Sequence, residues 1–390
     1  MEKQIVLPEL RFPEFSEEWN SWKIGDTCII KTGGKDTQNK VDDGLYPFFV
    51  RSDKVERINT YSYDGEAILT SGDGVGVGRN FHYINGKFDF HQRVYSLRQF
   101  NKECYGKFIF YFFSSKFYDR VIKLSAKNSV DSVRMDMISM MLIDLPTLTE
   151  QQKIATFLSS VDTKLTQLKQ KKNLLEQYKK GVMQKIFSQE MRFKDDEGKE
   201  FPEWEEKRLG DIAEKKTIKN KNNEVKNVFT NSANLGIVNQ RDFFDKDIAN
   251  QNNLLNYYVV ENNDFIYNPR ISNSAPVGPI GRNYLQKGVM SPLYSVFKIT
   301  HGNLTFFEFY FSTTFWHEYM ESIANYGARA DRMSIKTGDF YLMPLPFPCL
   351  AEQTKIANFL SSLDKKINHC NTQIEKTEQW KKGLLQKMFC

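Results

Sequence analysis

The chain has few cysteines, and they are widely spaced. Zinc sites and redox-active disulfides need cysteines close together in the sequence. The number and spacing of the cysteines therefore predict neither a zinc site nor a redox-active disulfide. They fit a reducing compartment such as the cytoplasm. The five cysteines are Cys28, Cys104, Cys349, Cys370 and Cys390.

Long apolar runs are also missing. The longest, Phe108 to Phe113, is far shorter than the roughly 20 residues that a membrane helix needs. Glu2 and Lys3 open the chain without the apolar segment of a signal peptide. We therefore expect no membrane partner and a cytoplasmic protein.

Motifs for catalysis are lacking as well. The glycines at positions 72, 74, 76 and 78 are not followed by the Lys-Ser/Thr pair of a phosphate-binding loop, so a structural turn is the better interpretation. Asn268-Pro269-Arg270 lacks the second proline and the aromatic residue of the adenine-methyltransferase tetrapeptide. His82, His91, His301, His317 and His369 show no metal-ligand spacing. We expect no catalytic residue, no metal and no bound cofactor in this chain.

What the sequence does have is enough apolar material for more than one core. It contains 390 residues, of which 40% are hydrophobic and 14% aromatic. Single cores stop growing below this length, so two or three domains are expected. The net charge of +6 suits a polyanionic partner without requiring one.

A long internal repeat is the most informative feature. Residues 150–187 align without gaps to residues 352–389, and 19 of the 38 positions are identical. Each copy carries a seven-residue apolar stripe typical of a long helix that packs on another. The first stripe contains Ile154, Leu158, Val161, Leu165, Leu168, Leu175, Val182 and Ile186; the second contains Ile356, Leu360, Leu363, Ile367, Cys370, Ile374, Leu384 and Met388.

The flanks of the repeat predict where the helices begin and how the chain closes. Thr149 and Gln152 form a capping box, which Ala351 weakens in the second copy. Arg11-Phe12 and the Trp19 to Asp26 segment resemble Arg192-Phe193 and the Trp204 to Asp211 segment. The first helix runs into this second segment, whereas the second helix ends at Cys390. We expect the N-terminal arm to supply the missing piece and to close an approximately two-fold ring.

Two blocks, about residues 20–145 and 205–345, share fragments of pattern and predict one fold with divergent surfaces. Short alternating runs such as Lys87 to Arg93, and aromatic helices at Phe110–Val121 and Phe309–Met320, indicate a mixed α/β (α+β) class. The predicted division is therefore an N-terminal arm with the first domain (1–145), a spacer helix (146–190), an entry arm with the second domain (191–345), and a second spacer helix (346–390).

Polar loop residues are the candidates for contacts with DNA bases. A planar arginine fork can contact guanine through two hydrogen bonds. Serines and asparagines at matching positions of the two blocks accompany the arginines. The candidates are Arg51, Ser52, Arg79, Asn80, Arg134, Asn231, Ser232, Arg270, Arg282, Asn283, Arg329 and Arg332.

The lysines of the first helix leave two interpretations open. They form either a solvated helix face or contacts with a partner subunit or with phosphates. They are Lys164, Lys169, Lys171, Lys172, Lys179, Lys180 and Lys185.

These motifs resemble the specificity subunit of type I restriction-modification systems. The resemblance is carried by the Leu-Pro pair before each helix, the Glu150-Gln151-x-Lys153-Ile154-Ala155-x-Phe157-Leu158 run with its copy from Glu352, the terminal Lys-Lys-Gly-x-x-Gln-Lys-x-Phe of both helices, and the Trp-then-Gly-Asp start of each domain. It covers the whole chain. It implies two target-recognition domains, separated by two long helices that pack as an antiparallel coiled coil.

The resemblance also implies partners and a division of labour. Each domain would read one half of a split double-stranded DNA target, and the helices would fix the gap and bind two modification subunits. Those subunits would carry S-adenosylmethionine, and a restriction subunit with ATP and magnesium would join for cleavage. Replacing Arg79 or Arg282 by alanine is then expected to relax one half-site, if these arginines read bases.

Two alternatives remain. A protein scaffold that does not bind DNA would have the same helices, but its binding would depend less steeply on salt. A fused single-chain restriction-methylation enzyme is disfavoured, because its methyltransferase and nuclease motifs are missing.

Overall fold

The protein's structure is a computed structural model that describes residues 7–74, 76–124, 132–243, 254–325 and 331–389. Its contacts divide the chain into two units. The first unit is Met1–Gln170 together with Cys370–Cys390, and the second is Lys171–His369. Both long helices therefore contribute one part to each unit.

The first unit contains the first domain and the beginning of the first long helix, α4. A short 3-10 helix, Thr37–Asn39, follows β2. The elements are β1 (Asn20–Lys23), α1 (Ile24–Thr27), β2 (Ile29–Thr32), β3 (Tyr46–Phe49), β4 (Glu56–Ile58), β5 (Tyr63–Ser71), β6 (Phe81–Phe90), β7 (Val94–Arg98), α2 (Gly106–Leu124), α3 (Met135–Ser139), β8 (Leu142–Leu145) and α4 (Leu148–Phe187).

The second unit contains the second domain and the beginning of the second long helix, α10. Its elements are β9 (Glu205–Arg208), α5 (Leu209–Ile212), β10 (Ala213–Lys215), β11 (Phe229–Ser232), β12 (Gly236–Asn239), α6 (Gln240–Phe243), β13 (Tyr258–Val260), β14 (Phe265–Tyr267), β15 (Ile280–Arg282), β16 (Gly288–Met290), β17 (Ser295–Ile299), α7 (Leu304–Phe311), α8 (His317–Ile323), α9 (Thr337–Tyr341), β18 (Pro344–Phe347) and α10 (Leu350–Met388).

The two domains share the strand order of a common four-stranded part of their sheets, which agrees with the prediction of one fold. The first has a six-stranded sheet in the order β2-β7-β5-β6-β3-β4, and the second has a four-stranded sheet in the order β10-β17-β14-β15. The first four strands of the larger sheet correspond to the smaller one. In each domain, a separate antiparallel pair joins the entry strand to the strand before the long helix, β1 with β8 and β9 with β18. The mixed α/β class is confirmed.

Aromatic helices fill the space beside each sheet. Ile109, Phe113 and Phe117 of α2 are fully buried, because residues four apart lie on one face of a helix. The second predicted aromatic helix is interrupted, since α7 ends at Phe311 and α8 begins at His317. Trp316 lies in the interruption and donates its indole N–H to the Phe311 carbonyl at 3.1 Å, which stabilises the turn.

The two long helices are antiparallel partners within each unit. In the first unit Lys381, near the end of α10, lies 2.5 Å from Asp162, near the start of α4. In the second unit Lys179 of α4 lies 2.6 Å from Asp364 of α10. The two ion pairs occupy equivalent positions of the repeat. Fourteen of the sixteen predicted stripe residues are buried, and Leu175 and Ile374 are half-buried.

The predicted capping residue of α4 is wrong. The helix begins at Leu148, and the hydroxyl of Thr147 accepts the backbone N–H of Glu150 at 3.4 Å. Thr149 therefore lies inside the first turn. In α10 the equivalent cap position is Cys349, which contributes its backbone carbonyl to Gln353 at 3.0 Å. Both copies begin at the same position of the repeat, so the weaker cap does not shift the second helix.

The N-terminal arm contacts the end of α10 in the first unit, where the sequence predicts that it supplies the missing segment. Leu10 donates its backbone N–H to the Lys387 carbonyl at 2.8 Å. In the other unit Met191 donates to the Lys185 carbonyl at 3.0 Å. Lys185 and Lys387 are equivalent in the repeat. In the second unit this hydrogen bond joins α4 to the residues that directly follow it in the chain. In the first unit the same hydrogen bond joins α10 to the N-terminal arm, which is at the other end of the chain.

Each arm is held by a buried carboxylate at the start of a long helix. Arg11 contacts both oxygens of Glu150 at 2.7 Å, and Arg192 contacts both oxygens of Glu352 at 2.9 and 3.3 Å. Both glutamates are fully buried. Because an unpaired buried charge is costly, these contacts tie each arm to its domain.

The neighbouring glutamine of each helix ties down the domain itself. Gln151 accepts the backbone N–H of Tyr105 at 2.8 Å, and Gln353 accepts that of Asn303 at 2.7 Å. The repeat thus fixes the same junction twice. The four-part division of the chain stays a prediction, because the boundaries between the two contact units fall inside α4 and α10 and not at the ends of these helices.

No helix in the described residues is both long and apolar enough to cross a membrane.

Candidate nucleic-acid interface

Loops from four places meet on one surface of the first domain. They follow β3, connect β5 to β6, precede β7 and precede α3. Val133 donates its backbone N–H to the Gly72 carbonyl at 2.7 Å, and Gly72 donates to the Arg93 carbonyl, also at 2.7 Å. These backbone hydrogen bonds hold together loops that are distant in the sequence.

Asp73 holds two arginines at the centre of this surface. Its carboxylate lies 3.0 Å from Arg51 and 3.7 Å from Arg93. Both guanidinium groups remain substantially exposed, at 44% and 66% of the side chain. A partly neutralised, oriented arginine pair can donate to phosphate or to guanine. Arg93 is an additional candidate that sequence reasoning missed; its only signal is its place in the polar loop between β6 and β7.

Burial disfavours the charged form of a neighbouring histidine. Desolvation, with a smaller contribution from the nearby Arg51 charge, lowers the pKa of His91. Its Nδ1 accepts the backbone N–H of Arg93 at 2.9 Å. His91 therefore positions the arginine loop rather than adding charge to the surface.

Arg79 stacks on an aromatic ring. Its guanidinium lies 4.2 Å from the ring centroid of Tyr118 and also donates to the tyrosine hydroxyl. The side chain is exposed. Gly78 before it has φ +69°, a conformation that favours glycine, as a turn at this position requires. The turn and the ring together set the direction of the arginine.

The remaining candidates of the first domain differ in exposure. Arg134 is exposed and lies 3.3 Å from Asp136. Ser52 donates its hydroxyl to the Lys54 carbonyl at 3.1 Å, which shapes its own loop. Asn80 is buried and donates to the Ser71 hydroxyl at 3.3 Å, so any effect of Asn80 on DNA would be indirect.

The second domain brings two of its candidates together in the same way. Met333 donates its backbone N–H to the Pro269 carbonyl at 2.9 Å, and Arg270 pairs with Arg332 in an isolated antiparallel bridge. Arg270 is exposed, and Arg332 lies 3.4 Å from Asp331. Arg329 lies outside the described residues.

Arg282 has a different environment from its counterpart Arg79. Its guanidinium donates to Asn263 Oδ1 at 2.9 and 2.5 Å and to the Thr305 hydroxyl at 3.1 Å, and it lies 3.5 Å from Glu308. Only 12% of the side chain is exposed. These contacts join β15 to α7, so the structure favours a positioning role for Arg282.

Three polar candidates of the second domain shape the backbone. Asn283 is fully buried and donates to the Glu261 carbonyl at 2.8 Å. Asn231 is buried and donates to the Ile266 and Pro279 carbonyls at 2.8 and 3.1 Å. Ser232 accepts the backbone N–H groups of Asn234 and Leu235, both at 3.3 Å. Base contact by any of the twelve candidates stays a prediction.

Among the described residues, no three histidine, cysteine, aspartate or glutamate side chains converge as metal ligands.

Comparison with known proteins places both halves of the chain in one class. The family model for the type I restriction modification DNA specificity domain matches twice, at residues 16–177 and 202–379. Two copies of this domain define a DNA-specificity protein with two recognition domains. The chain belongs to the family of specificity subunits of type I restriction-modification systems.

Individual relatives agree with this family. The MjaVIII specificity subunit of Methanocaldococcus jannaschii is 26% identical over 423 aligned residues, which cover 99% of this chain and 96% of the relative. The EcoDI specificity subunit of Escherichia coli is 24% identical over 170 residues, 43% of this chain; the match spans only 37% of that relative's own length.

The fold is also known from experiment. The S subunit of a type I system from M. genitalium superposes with a TM-score of 0.62 at 16% identity, covering 99% of both chains. At this identity the similarity shows a shared fold and carries no residue roles.

Proposed function

We propose that this chain directs a type I restriction-modification complex to a bipartite DNA target, with each domain reading one half-site. The observation that carries the proposal is the duplication: two domains with one strand order and different loop surfaces, each attached to an equivalent helix pair. Different surfaces on one fold suit two different half-sites.

The helix pair would fix the gap between the half-sites. Helices α4 and α10 contain 40 and 39 residues. At about 1.5 Å per residue each spans roughly 60 Å, more than one turn of DNA. A rod of constant length makes the gap a constant, as dimer spacing does in other DNA-binding proteins.

Contacts with DNA would follow the usual division between position and specificity. Lysines and arginines on phosphates would hold each domain on the duplex, whereas Arg51, Arg79, Arg93, Arg270 and Arg332 would face base edges. The exposure of Arg51, Arg79, Arg93 and Arg270 supports this assignment. Arg332 is half-buried, and its support is the backbone bridge to Arg270.

The chemistry would belong to partners. Two modification subunits carrying S-adenosylmethionine would methylate adenine, and restriction subunits using ATP and magnesium would cleave. The chain itself would have no catalytic role and would act in the cytoplasm. Membership of the specificity family supports this division.

Mapping methylated adenines tests the proposal. The chain is expressed with its modification subunit in a host that lacks other adenine methylation, and methylation is read across the genome. A single split motif with a constant gap is expected. Methylation without such a motif, or none from an active modification subunit, would contradict the proposal.

A domain exchange sharpens the test. Residues 20–145 are replaced by those of a relative with a different target. One half of the motif should change, while the other half and the gap stay the same. If both halves change together, the domains do not read DNA independently.

A further inference from the structure

The two copies of the long helix have diverged unevenly. No position of residues 165–175 matches its counterpart in 367–377, whereas eight of the twelve positions in 176–187 are identical to those in 378–389. A shared requirement therefore keeps the sequences of the two helix ends similar, whereas the sequences of the two helix centres have diverged.

Packing explains only part of this identity. Lys179 and Lys381 form the equivalent ion pairs with Asp364 and Asp162. Phe187 and Phe389 both pack on the aromatic helix of their own domain.

Of the six other identical residues in each copy, those at positions 180, 181 and 184 of the first copy, and 382, 383 and 386 of the second, lie within about one helical turn of one another. Lys180, Gly181 and Gln184 are exposed, as are Lys382 and Gln386, and Gly383 is half-exposed. We name these two sets of three residues the glycine patches.

The glycines themselves have no structural reason in this chain. Glycine is among the least favourable residues inside a helix. A Cβ atom added to Gly181 or to Gly383 would meet nothing within 4 Å. Because neither fold nor packing requires glycine there, its presence in both copies points to the close approach of something outside the chain.

A cleft lies beside each glycine patch. The cleft in the second unit has a volume of about 410 Å³ and runs between Lys180, Gln184 and residues 312–314. The cleft in the first unit has a volume of about 480 Å³ and runs between Lys382, Gln386 and residues 115–119. Each unit thus presents the same helix residues beside its own domain.

Each cleft has an uncompensated positive charge. Glu176 pairs with Lys172 at 3.7 Å, and its counterpart Glu378 pairs with Lys169 at 2.7 Å. Lys180 and Lys382 have no ion-pair partner in the described part of either unit. Lys179 and Asp364 also line the cleft of the second unit and pair with each other at 2.6 Å. In the first unit the cleft is also lined by Asp119 and by Lys116, which donates to the Phe389 carbonyl at 3.3 Å. A carboxylate on the occupant would complete both sites.

We propose that the two glycine patches and their clefts bind the same acidic segment of two copies of one partner. Resting on the proposed function, the inference identifies this partner as the modification subunit, with one copy for each unit. The segment would approach the helix closely at Gly181 and Gly383 and place a carboxylate on Lys180 and Lys382. Two identical sites on one chain require two identical occupants.

Filling the glycine position tests the proposal. Gly181→Leu, Gly383→Leu and the double variant are mixed with purified modification subunit, and native mass spectrometry counts the bound copies. We expect two copies on the unaltered chain, one on each single variant and none on the double variant. Helix stability should not fall, since the added side chain meets open space.

Thr163→Leu combined with Lys365→Leu is the matched control. These residues are equivalent in the repeat and exposed on the same helices, and the control should keep two copies. Lys180→Glu with Lys382→Glu should weaken binding by roughly tenfold or more, because it repels a carboxylate. Two copies on the double glycine variant would overturn this inference alone. No binding by the unaltered chain would instead contradict the proposed function.

Discussion

At the scale of single residues, equivalent positions in the two domains do not determine equivalent roles. Arg79 and Arg282 correspond in sequence, and both were candidates for base contact. One is exposed on a tyrosine ring, whereas the other is held by Asn263, Thr305 and Glu308. Sequence could identify these arginines as special but could not separate them, because the difference depends on partners 19 to 26 residues away.

The two arginines should therefore respond differently to alanine. Arg282→Ala removes several hydrogen bonds from a mostly buried group and should destabilise the second unit by about 1–3 kcal/mol. Its half-site sequence should stay the same. Arg79→Ala should leave thermal stability nearly unchanged and relax one base position. Calorimetry and methylation mapping of both variants check this.

Arg79→Lys is the control for the chemistry. Lysine keeps the charge but lacks the planar fork, so it should behave like alanine in specificity if Arg79 reads a base. Full specificity in the lysine variant would instead assign Arg79 to phosphate binding.

At the scale of elements, the repeat was readable because its periodicity is physical. Apolar residues every seven positions can be buried only on a helix that has a partner, and the stripes are buried as predicted. The start of α4 was misjudged, since two threonines compete for the cap and the backbone decides between them. The position of the N-terminal arm was predictable because its sequence resembles the segment that follows α4. The bidentate contact between Arg11 and Glu150 was not predictable from the sequence.

Arg11 should be essential for holding the N-terminal arm. Arg11→Ala leaves Glu150 buried without its partner, which should cost about 3–5 kcal/mol. The arm should then detach and become sensitive to protease before residue 20. Thermal unfolding and limited proteolysis measure the two effects.

Arg192→Ala is the matched control. This substitution leaves Glu352 buried without its partner, so the free energy of unfolding should fall by a similar amount. The arm that contains Arg192 is continuous with α4, so it should be cut by protease less than the N-terminal arm is in Arg11→Ala. Adding Glu150→Gln to Arg11→Ala removes the unpaired charge and should recover part of the lost stability. No recovery would show that burial of the charge is not the cause.

At the scale of the whole molecule, duplication explains what sequence could and could not predict. Two domains and two helices follow from internal comparison of the chain. The loop surfaces do not, because contacts such as those of Asp73 with Arg51 and Arg93 form only when three loops separated in the sequence meet in the fold. The DNA sequence that each domain recognises depends on these loop surfaces, so it cannot be predicted from internal comparison of the chain.

Lengthening both helices together tests the fixed gap. Seven residues inserted after Gln170 and seven after Thr372 lie in the diverged centre, where the two copies share no residue. A heptad adds about two helical turns and nearly preserves the stripe. It adds about 10 Å, the rise of about three base pairs. We therefore expect unchanged half-sites separated by a gap about three base pairs longer. Insertion into only one helix breaks the antiparallel register and should abolish specific methylation. An unchanged gap in the double insertion would mean that the DNA spacing is set by the partners, and that the helix pair only holds the two units together.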